Sequence, residues 1–255
     1  MKKVLLVGES WVSSSTHYKG FDQFGSVTFH TGHKRFMEGM KTGGYDVTHM
    51  PAHDAAADFP TTPDGLSDYD VIILSDIGAN TLLLHPDVWL RGKRVANRIN
   101  LLADWTAQGG GLIMIGGYFS FQGIDGKARW HKTSVEAALP VECMSSDDRM
   151  EIPEGCAPVV NMADHPILDG ITGEWPYLLG VNEVKLKDAP EVKLILSLPE
   201  TQRGLPLLAT GQFGEGRTVA WMSDMSEHWL PPAFLEWDGY DRLFCNMIGW
   251  AARDI

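Results

Sequence analysis

The chain opens on a short apolar run, Val4-Leu5-Leu6-Val7, closed by Gly8. A run with no polar face predicts a strand covered on both sides. Two later segments have the same form: Tyr69-Asp70-Val71-Ile72-Ile73-Leu74 and Leu112-Ile113-Met114-Ile115. Between them the period lengthens. Phe36 and Met40 share a face over Thr31 to Lys41, so a helix is expected there, with Thr31 as its cap and Gly43-Gly44 as its stop. Tyr45 to Met50 reads as a strand. Val95, Ile99, Leu102 and Trp105 predict a second helix over Val95 to Gln108, ended by Gly109-Gly110-Gly111. A third is expected over Asp238 to Ala252, with Asp238 as cap and Tyr240, Phe244, Met247, Ile248 and Ala251 on one face.

Strands alternating with helices through short links predict an α/β fold. The expected architecture is a three-layer α/β/α sandwich on a mostly parallel, flavodoxin-like sheet. The second half is less regular. A short helix is expected near Ser134–Leu139 and short antiparallel strands between Val141 and Pro190. Val192–Leu196, Pro206–Thr210 and Arg217–Met222 read as strands, the last two joined as an antiparallel hairpin by Gly214-Glu215-Gly216. Glu9 to His30 has neither clear period, and it reads as a long polar and aromatic loop. Its apolar content predicts a lid over the sheet edge or a contact with another subunit. No repeat or linker divides the chain, so one domain over residues 1–255 is expected.

Composition narrows the partners. The formal net charge is −12, which repels phosphate backbones and anionic membranes unless basic residues are segregated. The nearest group, Arg91-Gly92-Lys93-Arg94 with Arg98, reads as a solvated helix start. No nucleic-acid or membrane partner is expected. No apolar stretch approaches the ~20 residues of a membrane span, and Val4–Val7 is too short for a signal peptide. A cytoplasmic location is expected. Cys143, Cys156 and Cys245 are odd in number and lack metal-knuckle spacing, which argues against disulfides and structural zinc.

In open α/β sheets, ligands bind beyond the carboxyl ends of the strands. Polar, glycine-rich and aromatic residues gather at four such ends: Glu9-Ser10-Trp11, Ser75-Asp76-Ile77-Gly78-Ala79-Asn80, Gly116-Gly117-Tyr118-Phe119-Ser120-Phe121-Gln122, and Ser223-Asp224-Met225-Ser226-Glu227-His228-Trp229. One such loop is ordinary turn chemistry. Four on one edge indicate a pocket.

These segments resemble the class I glutamine amidotransferase-like family. Ser75-Asp76-Ile77-Gly78 is similar to its oxyanion-hole turn, and Gly116-Gly117-Tyr118-Phe119-Ser120-Phe121-Gln122 to its nucleophile elbow, G-x-C-x-G-x-Q. Arg217 to Ser226 resembles its last strand, which ends in His-Pro-Glu. Asp164-His165-Pro166-Ile167-Leu168-Asp169-Gly170 and Trp221-Met222-Ser223-Asp224 resemble the trehalose-utilisation-type branch. The departures matter as much. Tyr118 stands in the place of the nucleophilic cysteine, and a phenol with a pKa near 10 does not replace a thiolate. Asp224-Met225-Ser226 stands in the place of His-Pro-Glu, with His228 arriving late. Cys245 lies in the last predicted helix and reads as core. Glutaminase activity is not expected.

The candidate catalytic residues are Glu9, Asp76, Tyr118, Asp224 and His228, because two carboxyl or imidazole groups with separated pKa values can serve as acid and base. The candidate ligand-binding residues are Ser10, Trp11, Gly78, Asn80, Gly116, Gly117, Phe121, Gln122, Glu227 and Trp229. Tryptophans outside periodic segments suit sugar stacking or a subunit interface. His49 and His53 have helical metal-ligand spacing, but Pro51 interrupts it. No metal and no cofactor are expected, and Gly8 opens no dinucleotide fingerprint. Two functions stay open: acid–base chemistry on a small polar ligand, for which the resemblance alone suggests a sugar derivative, or a non-catalytic assembly or ligand-binding protein that forms homo-oligomers.

Overall fold

The computed structural model describes residues 1–255. Its strands are β1 (Lys3–Gly8), β2 (Ser10–Lys19), β3 (Asp22–Thr31), β4 (Asp46–Met50), β5 (Val71–Ser75), β6 (Gly111–Ile115), β7 (Val141–Cys143), β8 (Arg149–Cys156), β9 (Val159–Val160), β10 (Leu178–Asn182), β11 (Val184–Leu186), β12 (Lys193–Ser197), β13 (Pro206–Phe213) and β14 (Gly216–Trp221). Eight of them form one sheet in the order β4-β1-β5-β6-β14-β13-β12-β9. The pairs from β4 to β14 are parallel, and β13, β12 and β9 extend the sheet antiparallel. Taken in chain order, the five parallel strands run 2-1-3-4-5, the flavodoxin-like order.

The apolar runs are buried because helices cover both faces. Val4 to Val7, Val71 to Leu74 and Leu112 to Ile115 are almost without exposed surface. The three longest helices are Lys34–Thr42, Arg98–Ala107 and Gly239–Ala251. The first starts later than the sequence suggests, capped at His33 rather than Thr31, because Thr31 is still paired with Ser10. Asn97 caps the second, its Oδ1 accepting the N–H groups of Ile99 and Asn100. In the third, Tyr240, Phe244, Met247, Ile248 and Ala251 are all buried, as their spacing requires.

Three expectations need correction. The segment Glu9 to His30 is not a loop. It is a two-stranded ribbon, β2 paired with β3 from Ser10↔Thr31 to Lys19↔Asp22. Gly20, at φ 64°, opens the two-residue turn with the positive φ that a tight hairpin requires. The strands escape notice because serine and threonine interrupt the alternation, above all in the run Ser13-Ser14-Ser15-Thr16.

Arg98 is not a solvated helix start. It is 1% exposed and donates to the carbonyls of Leu82, Ala55, Phe59, Ala56 and Thr81. A buried guanidinium can be satisfied by carbonyl dipoles alone when its planar fork meets enough of them.

The third correction concerns the turn after β6, where the resemblance to a nucleophile elbow implies a tight strand-to-helix turn with strained backbone near Tyr118. Gly116-Gly117-Tyr118 turns sharply, but no helix follows; only a 3₁₀ turn appears, at Ile124–Gly126. The left-handed backbone lies at Gly117 (φ 141°) and Phe121 (φ 50°), on either side of Tyr118 and not at it.

Candidate cleft at the carboxyl edge of the sheet

Register sets the floor of the site. Gly8 of β1 lies opposite Ser75 of β5, Ser75 opposite Ile115 of β6, and Ile115 opposite Trp221 of β14. The residues that follow, Glu9, Asp76, Gly116 and Met222, therefore emerge side by side. Glu9 and Asp76 leave their strands in the left-handed region, at φ 49° and 46°. For a residue with a Cβ this costs on the order of 1 kcal/mol each, a strain found most often where a side chain is aimed for a purpose.

The cleft has a volume of about 460 Å³ and is lined by Glu9, Asp76, Asp224, Ser226, Glu227 and His228 with Trp11, Val12, Tyr118 and Phe119. Four of the five candidate catalytic residues carry protons or charge at its inner face, and Tyr118 completes the set.

Glu9 is 2% exposed. Its two oxygens accept the hydroxyls of Ser75 at 2.7 Å and Ser226 at 2.8 Å. Burial, with the charges of Asp224 and Asp76, pushes its carboxyl up to about 8. Asp76 is raised to about 6 by burial and by Asp224. Asp224, 7% exposed, is also raised by burial, although its Oδ1 accepts the N–H groups of Met225 and Ser226.

His228 reaches the cleft despite its late position, because the chain there takes φ 114°. Its Nε2 lies 2.9 Å from the Tyr118 hydroxyl, and its Nδ1 lies 3.9 Å from Asp224 Oδ2. Tyr118 also donates to Glu151 Oε1 at 3.2 Å. A carboxylate can only accept, so the phenol proton goes to Glu151 and the His228 Nε2–H donates to the phenol oxygen. That arrangement leaves Nδ1 facing Asp224. Burial and the Glu151 charge hold the Tyr118 phenol above its ordinary value. It is a hydrogen-bonding group here, not a phenolate nucleophile.

A further network holds the elbow. Asn182 Oδ1 accepts the Gly117 N–H at 2.9 Å while its Nδ2 donates to the Gly117 carbonyl and to Asp148. Buried Asp148 also accepts the N–H groups of Gln122 and Gly123. Ser120 donates to the Ile115 carbonyl and accepts the Asp76 N–H. Gly32 backs Glu9; a Cβ there would collide with the Glu9 carboxyl and the Ser226 hydroxyl.

The remaining sequence candidates divide. Ser10 and Gly78 line an adjoining recess of about 200 Å³ that shares Trp11, Asp76 and Phe119 with the cleft, and Ser10 Oγ accepts the Ala52 N–H. Gly116 and Gly117 lie beneath the floor. Asn80 is exposed outside both cavities. Phe121 is core, and the Gln122 amide is spent on the Gly126 carbonyl and the His131 N–H. Trp229 is fully buried and donates to Glu151 Oε2 at 3.0 Å, so it braces Tyr118 from behind instead of offering its ring to a ligand. Sequence reasoning missed Glu151, Asp148, Asn182, Ser226 and Gly32. Ser226 lay within a strand-end segment already singled out, but the others carry no periodic or motif signal. No group of three or more His, Cys, Asp or Glu side chains is set to hold a metal.

Fold and site together define a glutamine amidotransferase-like α/β protein in which tyrosine stands at the nucleophile position. The comparison with known families agrees: the chain belongs to the family described as "Putative glutamine amidotransferase", which matches residues 3–253. A cytoplasmic protein of Salmonella typhimurium is 37% identical, over 98% of this chain and 99% of that one, with a TM-score of 0.92. A second, from Salmonella typhimurium LT2, is 38% identical over the same shares, with a TM-score of 0.91. A ThuA-like protein of Bacteroides uniformis shares the fold at 12% identity, over 98% of this chain and 90% of that one, with a TM-score of 0.57. A search of curated proteins finds no match. No helix is long and apolar enough to cross a membrane.

Proposed function

We propose that the cleft binds a small polar metabolite, a sugar derivative, and performs acid–base chemistry on it without glutaminase activity. The observation that carries this reading is the separation of the two strand-end carboxyls. Near pH 7 Glu9, at about 8, keeps its proton, while Asp76, at about 6, has largely lost its own. Two carboxyls whose environments push their pKa values apart can divide the roles of acid and base. Asp76 is the base, Glu9 the donor, and the His228–Tyr118 pair orients a ligand hydroxyl.

The ligand class follows from what lines the cleft. Four carboxyl side chains line it and no lysine or arginine does; the Arg149 guanidinium lies against the Tyr118 ring, paired with Asp147. Such a surface repels phosphates and carboxylates and suits a ligand rich in hydroxyl or amino donors. Trp11 and Phe119 supply aromatic walls for its apolar face. The cytosol is the proposed location, in keeping with the two relatives described as cytoplasmic proteins.

Thermal-shift titration against neutral sugars, amino sugars, sugar acids and sugar phosphates tests this. Neutral or amino sugars are expected to raise the melting temperature of the wild type and not that of Asp76→Asn. The reading fails if nothing in the panel shifts the wild type, or if both proteins respond alike.

A further inference from the structure

We infer that the β2–β3 ribbon is an arm that docks on a second copy of this chain. Cross-strand pairing places Val12 opposite Phe29, Ser14 opposite Val27, and Tyr18 opposite Gln23. Strand period then puts Val12, Tyr18, Val27 and Phe29 on one face. These four are 57%, 73%, 71% and 49% exposed, and Phe21 at the tip is wholly so. On the opposite face the aromatics are partly occupied by their own neighbours: Trp11 stacks on His30, and Phe24 on His17.

The rest of the chain supports the ribbon only at its root. The Ala52 N–H meets Ser10 Oγ at 2.8 Å, and the Phe29 ring touches the edge of His53. A two-stranded ribbon on its own is marginal in water. At about 200 Å² for a whole aromatic side chain, Tyr18 and Phe29 on that face with Phe21 at the tip present roughly 460 Å². Val12 and Val27 bring this to roughly 650 Å², most of the ~800 Å² that each partner contributes to a stable interface.

Charge favours a second copy as the occupant. Ser10 to Thr31 carry one cation, Lys19, and one anion, Asp22, within a chain of net charge −12. The arm is the neutral part of an otherwise self-repelling molecule. Both outer edges of the ribbon are also unpaired, and a ribbon edge is its own complement about a two-fold axis. In that arrangement the arms lie antiparallel, tip against root. The root carries Trp11 and Val12, which line the cleft. The tip, Lys19-Gly20-Phe21, therefore arrives at the partner's cleft mouth, where Glu227 offers its cation an opposite charge.

Sedimentation velocity over roughly 1 to 100 µM, the range in which an interface of this size shows its affinity, tests the inference together with hydrogen exchange. The wild type is expected to sediment as a dimer, or an assembly of dimers, with the β2–β3 amides protected. Val27→Lys, which lies away from the cleft, should weaken association at least tenfold with an unchanged melting temperature. Tyr18→Ser gives the same reading if Val27→Lys does not fold. A wild type that stays monomeric throughout overturns the inference, including the case where its arm amides are protected, because the arm would then lie on its own cleft. An assembly indifferent to both substitutions overturns it too, since the contact must then lie elsewhere.

Discussion

The Asp76 carboxylate accepts the backbone N–H of Phe119 at 2.7 Å. Phe119 follows Tyr118, and in a nucleophile elbow that N–H serves the oxyanion. Here a fixed carboxylate already takes it. The chain thus lacks both the thiol and a free donor. Tyr118→Cys is therefore expected to release no more ammonia from glutamine than a blank, measured in a coupled assay. Ammonia release by this variant, abolished by thiol alkylation, would show that the Phe119 N–H can leave Asp76.

Glu9 makes stability depend on pH. Its folded pKa, about 8, lies above the unfolded carboxyl value near 4.3. Between these values the folded state holds a proton that the unfolded state has released. Stability contributed by this group is thus full below about pH 4 and declines as pH rises towards 8, at about 1.4 kcal/mol per unit. The melting temperature of the wild type should fall across that window. Glu9→Gln, which can still bond to Ser75 and Ser226, should fall less steeply and be the more stable protein at pH 8. Parallel curves for the two would contradict the raised pKa.

Asp224 and His228 belong to the cleft more than to the core. Asp224→Asn and His228→Ala should each weaken ligand binding at least tenfold, read by calorimetry with whichever sugar shifts the wild type. Each should cost less than about 1 kcal/mol of stability, roughly 2–4 °C in a chain of this size. Large melting shifts with unchanged affinity would assign both residues to structure.

Arg98 should behave in the opposite way. Its removal strands the five carbonyls it serves and leaves a cavity in the core. Arg98→Ala is expected to cost on the order of 3 kcal/mol in denaturant unfolding. The Phe119–Asp76 hydrogen bond should persist, because Arg98 touches neither residue.

Most of the sheet could be read from the sequence because its strands are covered on both faces. Val4–Val7, Val71–Leu74 and Leu112–Ile115 leave no polar position to confuse the period. Topology then places Glu9, Asp76, Tyr118, Asp224 and His228 on one edge before any side chain is seen. What could not be read depends on pairings far apart in the chain. Glu151 meets Tyr118 only because the β8–β10 sheet folds back on the elbow, and Asn182 reaches Gly117 from a strand 65 residues away. Trp229 looked like a sugar platform because nothing local reveals that Glu151 draws its indole inward. The β2–β3 ribbon was hidden because serine and threonine, which also favour turns, interrupt its alternation.

The registers Gly8–Ser75 and Ser75–Ile115 divide the cleft into parts with different freedom to change. Its floor grows from the most buried strands, so Glu9 and Asp76 cannot move unless the core moves with them. Its rim, made of Trp11, Val12, Phe119 and Glu227, is exposed. On the proposed function, descendants of this fold could trade one ligand for another by rewriting four surface positions, and the carboxyl pair beneath would pass on unaltered.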